Sequence, residues 1–216
     1  MTYLQIALDF TSMTKALDLV MAIFREVRDG RVWFEVGTPL IKSWGLIPVR
    51  LIKEATNMFV VADTKTIDAA ELEIGEAFKS GADAATVLGL ADDSTIRAGV
   101  ELAKTNGKTL IVDLIGVQRP YERAVQVYSM GPDYVLFHIG VDVQRARGLS
   151  AVELVKEAYR FKRETGGRYC IAGGIKLEDV ERLLEAEPDV IVVGGAITRS
   201  SNPVKTVLDF LEKLPK

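Results

Sequence analysis

The residues with the most chemistry lie between 63 and 68, where Asp63, Lys65 and Asp68 are spaced D-x-K-x-x-D after the apolar run Phe59-Val60-Val61-Ala62. On an extended backbone, residues two apart point to the same side, so Asp63 and Lys65 make a charge pair where a buried strand opens into a loop. Burying such a pair is expensive unless further hydrogen bonds compensate, which favours a site over a scaffold. Asp68 falls where the helix-forming residues Ala69-Ala70-Glu71 take over. Two roles are open to it: a charged group reaching a site, or a helix N-cap that forms a capping box with Glu71.

Other polar groups stand at comparable places. Asp9 follows the run 4–8, Glu35 lies within 32–36, Asp113 follows 109–112, and His138 follows 134–137. Asp9 and Asp113 can also be read as helix caps, and a lone histidine as a hydrogen-bonded structural residue. Glu35 and Asp63 offer only oxygen donors, which suits a hard cation such as Mg²⁺, with Mn²⁺ as a substitute. With Lys65 adjacent, a metal and an ammonium would face a developing enediolate oxygen, the requirement for making or breaking a bond beside a carbonyl. The pairs Gly173-Gly174 and Gly194-Gly195 follow the runs 169–172 and 190–193, with Arg199 close behind. Glycine lets backbone N–H groups approach an anion, so two pairs and an arginine point to a phosphate ester.

The elements that must position these groups repeat. Eight short apolar runs, at 4–8, 32–36, 58–62, 84–88, 109–112, 134–137, 169–172 and 190–193, alternate with longer amphipathic segments. The first of those segments carries Met13, Leu17, Val20, Met21, Phe24 and Val27 at the spacing of a helix with one buried face. Gly81, Gly107 and Gly131 punctuate helix ends before strands. Eight βα units of about 25 residues make a (β/α)₈ TIM barrel, here a single domain over 1–216. A doubly wound sheet would call for a glycine-rich turn after the first strand, where this chain has Asp9-Phe10-Thr11. In a barrel, all the polar groups above gather at the C-terminal mouth, with the phosphate at the loops after strands seven and eight.

Composition removes other classes. The 27 basic and 30 acidic residues are evenly mixed, with a net charge of −3, so no basic face for nucleic acid is expected. No apolar stretch approaches membrane-spanning length and no secretory leader is recognisable, so a cytoplasmic protein without membrane contact is expected. The lone Cys170 sits in an apolar run as a core thiol.

Asp9, the stretch from Glu35 through Gly37, Thr38 and Trp44 to Gly45, the segment from Ala62 to Ala69, His138-Ile139-Gly140-Val141-Asp142, and Ala172-Gly173-Gly174-Ile175-Lys176 together resemble the 3-hexulose-6-phosphate synthases. These belong to the orotidine monophosphate decarboxylase suprafamily of dimeric barrels with sites at the subunit interface. The resemblance covers nearly the whole chain and implies a reversible aldol reaction between formaldehyde and the sugar phosphate ribulose 5-phosphate. It implies Glu35 and Asp63 as Mg²⁺ ligands, Lys65 as the group stabilising the enediolate, and Asp68 reaching in from the partner of a homodimer. It further implies His138 as acid/base, Asp9 on a substrate hydroxyl, and Gly173, Gly174, Gly194, Gly195 and Arg199 on the phosphate. In the segment 142–148, Arg145 stands where a small residue is expected; this lies in the long loop 139–149, read as a lid.

Two relatives are distinguished by single positions. The nucleotide decarboxylases have a lysine in place of Glu35 and use no metal. The 3-keto-L-gulonate 6-phosphate decarboxylases have an arginine three positions after the histidine, where this chain has Val141. A non-catalytic sugar-phosphate sensor would keep the glycine pairs and lose the charged mouth, and here Lys65 and His138 are both present.

Overall fold

A computed structural model describes residues 1–215 of the chain. Eight parallel strands close into a barrel in sequence order: β1 Tyr3–Leu8, β2 Val32–Val36, β3 Phe59–Thr66, β4 Ala84–Leu88, β5 Thr109–Asp113, β6 Tyr134–His138, β7 Tyr169–Ala172 and β8 Val190–Val193. β1 pairs with both β2 and β8, so the sheet has no free edge. The helices are α1 Met13–Glu26, α2 Thr38–Trp44, α3 Ile47–Thr56, α4 Ala70–Lys79, α5 Asp93–Thr105, α6 Pro120–Tyr128, α7 Val141–Arg147, α8 Val155–Thr165, α9 Val180–Leu184, α10 Gly195–Thr198 and α11 Pro203–Lys213. No helix among the described residues is long and apolar enough to cross a membrane. This is the (β/α)₈ barrel that the eightfold alternation predicts.

Side chains alternate along each strand, which divides the apolar residues into two cores. Outward residues such as Val32, Phe34 and Val36 pack beneath the helices. Inward residues such as Val61, Ile111, Leu136, Cys170 and Val192 fill the barrel. At the N-terminal end, Trp33 stacks on Phe59 at 4.1 Å, lies tilted against Tyr3 at 4.6 Å and meets Tyr134 edge-on at 6.0 Å, an aromatic floor. Chemistry is therefore confined to the opposite end.

Three local expectations need correction. The buried face of α1 is Ala16, Leu19, Val20 and Ile23, continued by Val27. Leu17, Met21 and Phe24 lie half-buried on its flank, because the face that meets the barrel is set by packing against the neighbouring α3 and α11. Strand three extends past Ala62 through Thr66, and its register against β4 shifts between Ala62 and Thr66. The segment after β6 opens with the two-turn helix α7, capped by a left-handed Gly148, rather than irregular loop.

Candidate active site

Strand alternation brings Asp9, Glu35, Asp63, Lys65, Asp113 and His138 together at the mouth. Lys65 does not lie on a simple extended strand: its φ of 46° is left-handed, a conformation costing a non-glycine residue about 1–3 kcal/mol. The irregularity turns its ammonium across the mouth, where Nζ donates to Asp63 Oδ1 at 3.0 Å and to Asp113 Oδ2 at 2.6 Å. Asp113, completely buried, also accepts from the Ile115 amide at 2.9 Å and stands 3.1 Å from His138 Nδ1. Burial works against the Asp113 carboxylate, but His138 and then Lys65 outweigh it and hold its pKa below the ordinary carboxylate value. An ionised Asp113 can only accept, so His138 Nδ1 carries the proton and donates to it. When the ring is neutral, Nε2 is then left as an acceptor.

Asp63 is held by four donors. Oδ1 accepts from Lys65 and from Thr86 Oγ1 at 2.9 Å, while Oδ2 accepts from Thr38 Oγ1 at 2.7 Å and the Thr38 amide at 3.3 Å. Glu35, 7% exposed, accepts at Oε2 from Gln5 Nε2 at 2.7 Å, and Oε1 has no donor among the described residues. Burial, then the Asp63 and Asp9 carboxylates, push the Glu35 pKa well up. Burial also opposes the Lys65 ammonium, but Asp63, Asp113 and Glu35 outweigh it and hold its pKa above the usual lysine value. A crowded carboxylate pair with an open oxygen fits a divalent cation, which takes one or two carboxylates and completes its shell with water and substrate. No set of three or more His, Cys, Asp or Glu side chains among the described residues is grouped to hold a metal, so a cation here would rely on that small set.

Asp9 is not a cap, since Ser12 caps α1. Its carboxylate lies against Gly37 and Gly194: a Cβ on Gly37 would meet Asp9 Oδ1 at 2.2 Å, so a side chain there would push the carboxylate aside. Desolvation by the surrounding protein, then Asp63, raise its pKa, with Lys65 and His138 opposing. Asp68 is exposed and does not cap α4, whose N-cap is the left-handed Ala69 with no side-chain bond; the capping box with Glu71 is absent because Asp68 lies one residue too early.

At the far side of the mouth, Gly173 has φ of 122° and Gly174 of 66°. A Cβ on Gly173 would fall 2.6 Å from the Ile139 carbonyl, so the turn after β7 is open only to glycine. This pair leads into a 3-10 turn, Leu177–Asp179, rather than directly into a helix. Gly195 begins α10, whose first amides have no carbonyl one turn back to bond, and the exposed Arg199 folds its guanidinium over Gly195. The glycines and Arg199 thus share one side of the rim.

Sequence alone assigns no role to Gln5 or Thr86, places Thr38 only within the stretch that carries the resemblance, and offers Asp113 as one of the groups at the mouth or as a helix cap. A signal existed for two of them: Gln5 and Thr86 are polar residues inside apolar runs, at inward positions of β1 and β4.

A closed parallel barrel with its ionic groups at the C-terminal mouth and a glycine-lined rim is the build of a (β/α)₈ barrel enzyme. Over residues 2–210 the chain matches the model of the orotidine 5'-phosphate decarboxylase / HUMPS family, and it belongs to that family. It is 37% identical over 203 residues to 3-hexulose-6-phosphate synthase of Staphylococcus aureus, covering 94% of this chain and 93% of that one. A crystal structure of 3-hexulose-6-phosphate synthase matches with a TM-score of 0.92 at 36% identity, over 99% of this chain and all of the other. The 3-keto-L-gulonate-6-phosphate decarboxylase of Vibrio cholerae shares the fold, with a TM-score of 0.84 at 24% identity over 98% and 96% of the two chains.

Proposed function

We propose that this chain catalyses the reversible aldol addition of formaldehyde to D-ribulose 5-phosphate, giving D-arabino-hex-3-ulose 6-phosphate, a 3-hexulose 6-phosphate such as its synthase relatives are named for. The observation that carries the reading is the Lys65 ammonium fixed between Asp63 and Asp113, with His138 on the same carboxylate. In the forward direction His138 Nε2 takes a proton from C1 of the sugar phosphate. The negative charge that develops on the neighbouring oxygen is met by Lys65, already in place and unable to lose its proton at neutral pH. C1 then bonds to the formaldehyde carbon, and the proton returns from His138 to the former formaldehyde oxygen, so no net proton is consumed. Asp9 holds a substrate hydroxyl. The rim of Gly173, Gly174, Gly194, Gly195 and Arg199 holds the phosphate.

A divalent cation, Mg²⁺ or in its place Mn²⁺, would be held by Glu35 and Asp63 and would supply Lewis-acid polarisation of the sugar carbonyl. Glu35 Oε1, which has no donor among the described residues, would be free to hold the cation, with the Asp63 carboxylate beside it. Asp68 serves the site of a second copy of the chain. It is exposed beside Ile67 (52% exposed) and near Leu72 (67%) in the sequence, apolar side chains suited to a twofold interface. Sugar phosphates are made and used in the cytoplasm, which is where we place the protein.

The first residue of α7, Val141, separates this reading from decarboxylation of 3-keto-L-gulonate 6-phosphate, for which the resemblance calls for arginine. The test incubates purified protein with ribulose 5-phosphate, formaldehyde and Mg²⁺ and follows formaldehyde loss, with CO₂ release from 3-keto-L-gulonate 6-phosphate measured in parallel. Formaldehyde consumption supports the aldolase reading. Faster CO₂ release without it would replace that reading by the decarboxylase.

A further inference from the structure

We propose that Thr86 is a positioning residue for this reaction, its hydroxyl holding both the backbone turn that aims Lys65 and the carboxylate of Asp63; the proposal rests on the roles given to those two residues above. Thr86 lies on β4 and is 1% exposed. Its Oγ1 accepts from the Lys65 amide at 2.9 Å and donates to Asp63 Oδ1 at 2.9 Å. The β3–β4 ladder pairs Ala62 with Ala85 and next pairs Thr66 with Val87, so four steps on β3 match two on β4. Across that gap the usual backbone ladder is interrupted, and side chains close it. Thr64 Oγ1 donates to the Thr86 carbonyl at 2.7 Å, and the Thr86 hydroxyl takes up the Lys65 amide where a strand would offer a carbonyl.

The hydroxyl has one proton, and its two partners fix where that proton goes. Asp63 can only accept when ionised, so the proton points to Asp63 and an oxygen lone pair faces the Lys65 N–H. A valine would match the volume and strand preference of threonine, so packing alone does not require the hydroxyl. What requires it is the left-handed Lys65, whose amide donates to no other group among the described residues. Without that bond the lysine backbone is free to relax toward the extended region, carrying Nζ off the line between Asp63 and Asp113.

The experiment compares wild type with Thr86→Val and Thr86→Ser. It reads kcat, the KM for each substrate, Mn²⁺ affinity by electron paramagnetic resonance, and the exchange rate of the Lys65 amide by NMR in metal-free protein. Valine should lower kcat and Mn²⁺ affinity by about 10- to 100-fold, with smaller changes in KM, as supports of metal-site residues do. Lys65 amide exchange should quicken by about tenfold or more. Serine should restore all three. A folded valine variant that keeps wild-type kcat and Lys65 protection overturns the proposal. Should valine prevent folding, the wild-type protein decides: a Lys65 amide exchanging as fast as an open loop amide also overturns it. If wild type consumes no formaldehyde, the functional reading fails by itself, visible apart from amide exchange.

Discussion

Replacing Asp113 with asparagine keeps its size and removes the charge on which the mouth converges. The carboxylate is completely buried and accepts from Lys65 at 2.6 Å, His138 at 3.1 Å and the Ile115 amide at 2.9 Å. An asparagine oxygen preserves the Ile115 bond, but its NH₂ group sets donor against donor. Removing one partner of a buried ion pair costs about 3–5 kcal/mol. Lys65 keeps Asp63 at 3.0 Å and its side chain is 21% exposed, which places the loss at the low end, about 3 kcal/mol. For a chain of this size that is a fall in Tm of about 6–12 °C. The pH dependence has a definite sign. The Asp113 pKa is depressed in the fold, so its contribution is fully present above the unfolded value of about 3.9 and is lost as pH falls through the folded value. The difference between wild type and Asp113→Asn should therefore be full at pH 7 and smaller by about 1 kcal/mol at pH 3. Urea unfolding of metal-free protein at both pH values measures it. A loss below about 1 kcal/mol at pH 7, or an equal loss at both, would refute the account of Asp113 as an ionised hub.

Glu35→Gln and Asp63→Asn should abolish cation-dependent activity while leaving circular dichroism unchanged, and full wild-type activity after EDTA dialysis would remove the metal from the mechanism. Because the Glu35 pKa is raised in the fold, the stability its protonated form contributes is full below the unfolded value of about 4.3 and is lost as pH rises from there through the folded value; Glu35→Gln should raise the Tm of metal-free protein at pH 8 and leave it unchanged at pH 4. Asp68→Ala and Lys65→Ala proteins, each inactive, should regain about a quarter of wild-type activity when unfolded together and refolded, since half the dimers are mixed and each has one intact site of two. No recovery despite heterodimers in native mass spectrometry would assign Asp68 to its own chain. Neutralising Arg145 or Arg147, both exposed on α7, should raise KM for the sugar phosphate and leave that for formaldehyde nearly unchanged, and equal effects on both would point to a structural role.

The barrel was legible because its cause is local. Eight apolar runs at near-regular intervals, each followed by a helical stripe, leave few ways to bury every strand on both faces, and closure in sequence order is the simplest. Mouth residues were legible for the same reason, since a charged residue at the end of a buried strand has only one place to go. Hydrophobic periodicity located α1 but not its buried face, because which flank meets the barrel depends on neighbouring helices. Of the two roles open to Asp68, the capping box fails because one residue of backbone, the left-handed Ala69, displaces the helix start.

From residue types and spacing alone came the strand count, the glycine rim and the Asp63–Lys65 pair. Tertiary structure decided what that pair does. Lys65 reaches Asp113, 48 positions away, and Asp113 in turn sets the tautomer of His138, 25 positions further on. Those contacts depend on a strand irregularity held by Thr86 from the neighbouring strand. Local propensity carries no information about it, because a left-handed lysine is disfavoured in isolation and is stable only where surrounding strands supply its hydrogen bonds.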